Sequence, residues 1–300
     1  MRKKTKQLVF FGAVLVFIII SFAVVIFALG YQYDFIENKF LKTGSIEIKV
    51  NVPADVYINE EFAGDTSFLG NYFSKGRLLP RTYNVRVENE KYETWHKLAK
   101  IEAGFLTNFP KVVLLAENLP EEVVASSSIS NLTIKRFDSA EMLAVWGNRQ
   151  KLEMVSLLSG ERKPFKPTLT PTPAKSAISP DENEKGYSIA PDNNKKLMFN
   201  EREIWIEWIK DSTSQPIKLA GDTELVTRFS QKVEDVQWYK DSEHLIASVG
   251  GILKFIEIDT RGGLNIFDIT TIGEPFYYDR NMDAVFKFEG NKLVRINLSE

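Results

Sequence analysis

The run Leu8 to Leu29, LVFFGAVLVFIIISFAVVIFAL, constrains this chain more than any other stretch: it holds no charged residue, and Ser21 is its only polar side chain. As a helix rising about 1.5 Å per residue it covers roughly 33 Å, enough to cross a hydrocarbon core of about 30 Å. A cleaved signal peptide has a shorter apolar region, about 7–15 residues, closed by a small-x-small site. The exit here, Phe27-Ala28-Leu29-Gly30-Tyr31, lacks such a site, so a retained signal anchor is expected. Arg2, Lys3, Lys4 and Lys6 precede the run and the first acidic residue is Asp34. That lysine/arginine bias predicts residues 1–7 in the cytosol and the rest outside a cell membrane crossed once. Tyr31, Tyr33 and Phe35 follow in a juxtamembrane segment, 30–42, where amphipathic rings favour the headgroup layer.

The chain carries 38 basic and 40 acidic residues. Without the four basic residues ahead of the span, 34 face 40, a net charge near −6. Nucleic acid and anionic lipid as partners both require clustered positive charge, so the net charge speaks against either. The apolar fraction of 44% and charged fraction of 26% are those of a folded globular chain. There is no cysteine, which removes disulfides and thiolate ligands and points to a prokaryotic envelope protein stabilised by apolar burial. Asn131-Leu132-Thr133 and Asn297-Leu298-Ser299 match the glycosylation pattern, a short motif read here as incidental.

From Thr43 the pattern changes to a period of two. Ile46, Ile48 and Val50 alternate with Glu47 and Lys49, Val56 and Ile58 follow a Pro53-Ala54-Asp55 turn, and Asn59-Glu60-Glu61 reverses the chain. Tyr83, Val85 and Val87 alternate again, and Val112 to Leu115 closes the unit. These residues, with Gly44-Ser45, Gly64, Leu79-Pro80-Arg81-Thr82-Tyr83 and Lys91-Tyr92, resemble the PEGA domain over 43–116. The resemblance implies a small β-sandwich of surface and envelope proteins. The sequence departs from that family at Glu60, where a hairpin glycine is usual, and at Thr66-Ser67 in place of Thr-Pro. The expected role is a rigid spacer. Trp95-His96 is read as a satisfied surface or core pair and not a site, because no further histidine or cysteine stands nearby.

Beyond a linker at 117–128, an aspartate recurs five residues ahead of an apolar strand position: Asp138 before Leu143, Asp192 before Leu197, Asp241 before Ile246 and Asp279 before Ala284. A second strand follows each time, at Leu152 to Leu158, Ile204 to Ile209, Leu253 to Ile258 and Leu293 to Leu298. An aspartate carboxylate accepts backbone N–H bonds just ahead of it, so these four are read as turn-formers. Short strands in such repeating units predict a β-propeller-like domain over 129–300; with four recognisable units the alternatives are an atypical domain, one that recruits strands from elsewhere, or an incomplete ring. Ala190-Pro191-Asp192-Asn193 and Trp238-Tyr239-Lys240-Asp241-Ser242-Glu243-His244 resemble the blade starts of TolB-like and WD40-like propellers. Residues 164–186, rich in proline, serine and threonine, are read as a flexible insertion.

The fold class expected is therefore mainly β: an N-terminal transmembrane helix, a PEGA-like sandwich and β-propeller-like repeats. Trp205, Trp208 and Trp238 are the candidate binding-surface residues. Trp205 and Trp208, three apart on a strand, must face opposite sides. No nucleophile elbow, zinc motif or phosphate loop occurs, so no catalytic, cofactor or metal residue is assigned. The expected role is a non-enzymatic binding or scaffold protein engaging an envelope protein or glycan. A hydrolase using a carboxylate pair, or the ectodomain of a sensor complex with a separate membrane partner, are the alternatives.

Overall fold

The computed structural model describes residues 3–126, 132–135, 143–146, 153–156, 161–164, 186–273, 276–290 and 292–298. Asp138 and most of the insertion expected at 164–186 lie outside the described residues. The chain divides into two compact units, residues 1–89 with 94–113, and residues 90–93 with 114–300.

The first unit begins with helix α1 (Lys3–Ala28), whose segment Val9–Ala28 is long and apolar enough to cross a membrane. It stops at Gly30, which takes φ +81°, a left-handed conformation that favours glycine. The Gly30 carbonyl then accepts hydrogen bonds from both the backbone N–H and the hydroxyl of Thr43, each 2.8 Å long. Between these two residues runs a hairpin of β1 (Tyr31–Asp34) and β2 (Lys39–Lys42). Asp34 points away from the hairpin's aromatic face and is buried, its carboxylate 2.7 Å from the Arg81 guanidinium. N–H bonds from Ile36 and Glu37 and the Arg81 charge hold that carboxyl below its usual range against the opposing effect of burial.

Strands β3 (Gly44–Val50), β4 (Asp55–Ile58), β5 (Glu61–Asp65), β6 (Tyr72–Leu78), β7 (Thr82–Asn89), β8 (Tyr92–Lys100) and β9 (Leu106–Val112) form two sheets, ordered β6-β3-β9 and β5-β4-β7-β8. Period-two alternation sends Ile46, Ile48 and Val50 of one sheet, and Val56, Ile58, Val85 and Val87 of the other, into the interior. Trp95 of β8 meets Phe109 of β9 edge to face at 5.2 Å, joining the sheets. Its neighbour His96 faces outward, so the Trp95-His96 pair is split between core and surface. The turn joining β4 to β5 has Asn59 and Glu60 both at positive φ, 52° and 64°. Asn84 secures it, its N–H donating to Asn59 Oδ1 at 3.0 Å and its amide to Glu60 Oε1 at 2.8 Å, which accounts for a turn built without glycine. Thr66 closes the β4–β5 hairpin at its other end, accepting the Ala54 N–H through Oγ1 at 2.9 Å.

The second unit is β-propeller-like, with four four-stranded antiparallel sheets among the described residues. Strand β10 (Glu121–Ser126) opens it, inside the segment expected to be linker. Then come β11 (Leu132–Lys135), β12 (Leu143–Trp146), β13 (Glu153–Ser156) and β14 (Arg162–Pro164) as one sheet. Strands β15 (Gly186–Ile189), β16 (Lys195–Phe199), β17 (Glu203–Trp208) and β18 (Thr223–Arg228) make the next. Strands β19 (Val233–Trp238), β20 (His244–Val249), β21 (Ile252–Glu257) and β22 (Ile266–Thr271) make the third. Strands β23 (Phe276–Asp279), β24 (Ala284–Glu289) and β25 (Lys292–Asn297) build the last with β10, which pairs along β25 from Glu121↔Ile296 to Ser126↔Lys292. A strand from the start of the unit thus completes the sheet at its end. The β15–β18 and β19–β22 sheets share a core of Leu197, Ile204, Ile206, Trp208, Val236, Trp238, Leu245 and Ile256.

Candidate functional site

Among the described residues of the repeat unit, three hairpin turns carry a network of polar contacts. They join β15 to β16, β19 to β20 and β23 to β24 through four-residue loops, 191–194, 240–243 and 280–283. In the first two, Ala190 and Tyr239 donate N–H bonds to the carbonyls of Lys195 and His244, both 2.9 Å. In the third, Asp279 pairs with Ala284. Asn193, Ser242 and Asp283 take φ values of 58°, 64° and 48°.

The aspartates sit inside these turns. Asp192 Oδ1 accepts the N–H of Asn194 at 3.0 Å, Asp241 Oδ1 those of Glu243 and His244 at 2.8 and 3.1 Å, and Asp279 Oδ1 those of Asn281 and Met282 at 2.8 and 3.0 Å. Asp192 and Asp241 are second in their loops, whereas Asp279 precedes its loop, so equal spacing in sequence corresponds to two structural positions.

The turns are tied to one another across sheets. The Asp192 N–H donates to Ser242 Oγ at 3.1 Å, and the buried Lys195 ammonium reaches the Ser242 carbonyl at 3.1 Å and Glu243 Oε1 at 2.8 Å. On the other side, Tyr239 and Lys240 donate to Asp283 Oδ2 at 3.2 and 2.7 Å, while Tyr278 donates to Asp283 Oδ1 at 2.8 Å. Burial first, and then the Asp283 charge, push both phenols up, so they remain hydrogen-bond donors at ordinary pH. Between these ties lies His244, its Nδ1 2.7 Å from Asp241 Oδ2 and its ring stacked on Phe255 at 4.9 Å. Burial alone would push its imidazole down. The Asp241 carboxylate and its hydrogen bond, with Glu257 and Glu243 beyond, outweigh burial and hold it above the usual histidine value. Glu257 stands opposite His244 in the sheet and accepts from the Asn265 amide at 2.8 Å.

This belt fixes turns; chemically, its carboxylates already accept from lysine, tyrosine, histidine and backbone donors. Among the described residues, no group of three or more histidine, aspartate or glutamate side chains is arranged to hold a metal. Of the tryptophans, Trp208 and Trp238 lie in the core, the latter donating its indole N–H to the Ser188 carbonyl at 3.2 Å. Trp205 lies on the opposite sheet face, half-buried, its N–H on Glu203 Oε2 at 3.2 Å, in register with Met198 and Leu225. The structure therefore does not bring the three rings to one surface. Lys195, Lys240 and Asp283 were not legible as a group in sequence, because Lys195 meets Ser242 and Glu243, and Asp283 meets Tyr239 and Lys240, across a repeat boundary.

No family model matches the chain, and no curated protein matches it. Among solved structures, the crystal structure of the tricorn protease is similar at 10% identity and a TM-score of 0.25, over 69% of this chain and 17% of its own. The extracellular domain of a putative hybrid two component system from B. thetaiotaomicron is similar at 10% identity and a TM-score of 0.30, over 90% of this chain and 31% of its own. A protein from Lactobacillus plantarum is similar at 9% identity and a TM-score of 0.24, over 90% of each. The chain spans well under two thirds of the first two structures, and none of these weak similarities assigns a family.

Proposed function

We propose that this chain is a membrane-anchored, non-enzymatic binding or scaffold protein of a prokaryotic envelope. In this reading α1 crosses the membrane with its N-terminus in the cytosol, the PEGA-like sandwich is a spacer, and the repeat unit, with its TolB-like and WD40-like blade starts, engages an envelope protein or glycan. The carrying observation is where the chain enters and leaves the sandwich. The helix joins it at the end that holds Gly44, Gly104 and Arg81, while β9 runs parallel to β3 and finishes at Val112, beside Val50, at the other end. Seven residues at about 3.3 Å each separate the two ends by roughly 20 Å, the geometry of a spacer. The polar belt supports a binding role, since rigid turns present loops whose sequences are free to vary.

The test is photocrosslinking of the full-length protein in its own membranes, with the reactive residue at the exposed positions Glu201 or Arg280 of the repeat unit, or at Glu61 or Lys111 of the sandwich. Adducts are expected from the first pair. Adducts from the second pair alone would reverse the assigned roles.

A further inference from the structure

The hairpin after the helix has two different faces. Cross-strand pairing sets Tyr31 beside Lys42 and Tyr33 beside Phe40, so these four side chains share one face, while Asp34 on the other is buried against Arg81. Tyr33 packs edge to face with Phe40 at 5.2 Å and with Phe35 of the tip at 5.0 Å. The cluster is nevertheless open to its surroundings: Phe35 is 84% exposed, Ile36 77% and Phe40 55%. A cluster of exposed rings on a short hairpin marks a contact surface.

Its position decides the partner. The hairpin leaves Gly30 and returns to Thr43, and Thr43 bonds the Gly30 carbonyl twice, so its base cannot move away from the end of α1. Arg77 lies with its guanidinium 3.4 Å from the Phe27 ring centroid, at the level of the last helical turn. Aromatic rings and cations at the end of an apolar span are the side chains that partition into the headgroup layer, the rings at its apolar boundary and the cations on phosphates. We propose that the face formed by Tyr31, Tyr33, Phe35, Phe40 and Lys42 binds lipid headgroups in the leaflet from which α1 emerges, with Arg77 as a further phosphate contact. The inference rests on the anchor reading. It adds that the sandwich is held against the bilayer by a second, surface attachment that sets its orientation.

The absence of cysteine allows single labels in the intact chain. Full-length protein carrying Ile19→Cys, Ile36→Cys or Phe68→Cys, each with an environment-sensitive fluorophore, is reconstituted into vesicles containing anionic phospholipid and lipids with a nitroxide at the headgroup. Phe68, 98% exposed at the opposite end of the sandwich, is the aqueous control. The expected result is blue-shifted emission at Ile19 and Ile36, headgroup-nitroxide quenching at Ile36, and neither effect at Phe68. Adding Phe35→Ser and Phe40→Ser should abolish the quenching at Ile36 and leave Ile19 unchanged. An Ile36 label as aqueous as Phe68, with Ile19 still in the bilayer, overturns the surface attachment alone. An Ile36 label that is blue-shifted but unquenched shows a protein contact and also overturns it. An aqueous Ile19 label overturns the anchor and the attachment together.

Discussion

His244 and Asp241 form a pair three residues apart, Nδ1 to Oδ2 at 2.7 Å, closed off by the stacked ring of Phe255. Because the folded state raises the affinity of His244 for its proton, the stabilisation is fully present below the unfolded value of about 6.5 and is lost as pH rises through the folded value. Thermal unfolding of residues 30–300 should therefore show a midpoint that falls with rising pH across that window, and a flatter profile in His244→Gln. Equal slopes in the two proteins would show that the pair does not carry the effect.

Asp283 accepts from Tyr239, Tyr278 and Lys240, so its loss leaves two enclosed hydroxyls and one ammonium without their acceptor. Asp283→Ala should cost about 3–5 kcal/mol, whereas Tyr278→Phe, which keeps the other donors, should cost about 1 kcal/mol. Urea unfolding measures both, and a Tyr278→Phe cost equal to that of Asp283→Ala would contradict this ordering.

The side chain of Lys287 is buried and its ammonium meets Glu121 Oε1 at 2.7 Å and Thr270 Oγ1 at 3.0 Å, joining β10 to the body of the repeat unit. Glu121→Gln alone should destabilise more than Glu121→Gln combined with Lys287→Met, since the single change strands a buried charge. Additive effects in that double-mutant cycle would mean that the two residues do not interact.

A Cβ at Gly44 would lie 2.7 Å from Ile101 Cγ2, 2.9 Å from the Phe105 carbonyl oxygen and still closer to that of Glu102. Two of these neighbours are backbone, so Gly44→Ala should cost about 1–3 kcal/mol by forcing β3 away from the 101–105 loop. Gly76→Ala, whose Cβ meets nothing within 4 Å, should stay within about 0.5 kcal/mol in the same melts.

Ser21→Arg places a charge near the middle of the apolar run, at about 2.5–3.5 kcal/mol on insertion scales. The share of protein resisting alkaline extraction from membranes should fall. Unchanged extraction would count against a spanning helix.

The apolar run, the alternating strands of the sandwich and the second strand of each repeat were all legible in sequence, because each depends on neighbours within a few residues: hydropathy over a span, or side chains alternating about a pleat. Glu60 in a left-handed turn was visible only as a departure, since its support comes from Asn84 on another strand. Residues 121–126 carry a short, mostly exposed pattern indistinguishable from a linker, and they become β10 only because β25, some 170 residues later, offers an unpaired edge. The split of Trp205 and Trp208 between faces followed from strand geometry, but which face is core depended on the neighbouring sheet. Asp34 with Arg81, and Asp283 with Tyr239 and Lys240, join residues from separate strands or repeats. Local periodicity specifies strands; the partner of a buried charge, and the strand that completes a sheet, are decided by contacts between distant segments that only tertiary packing brings together.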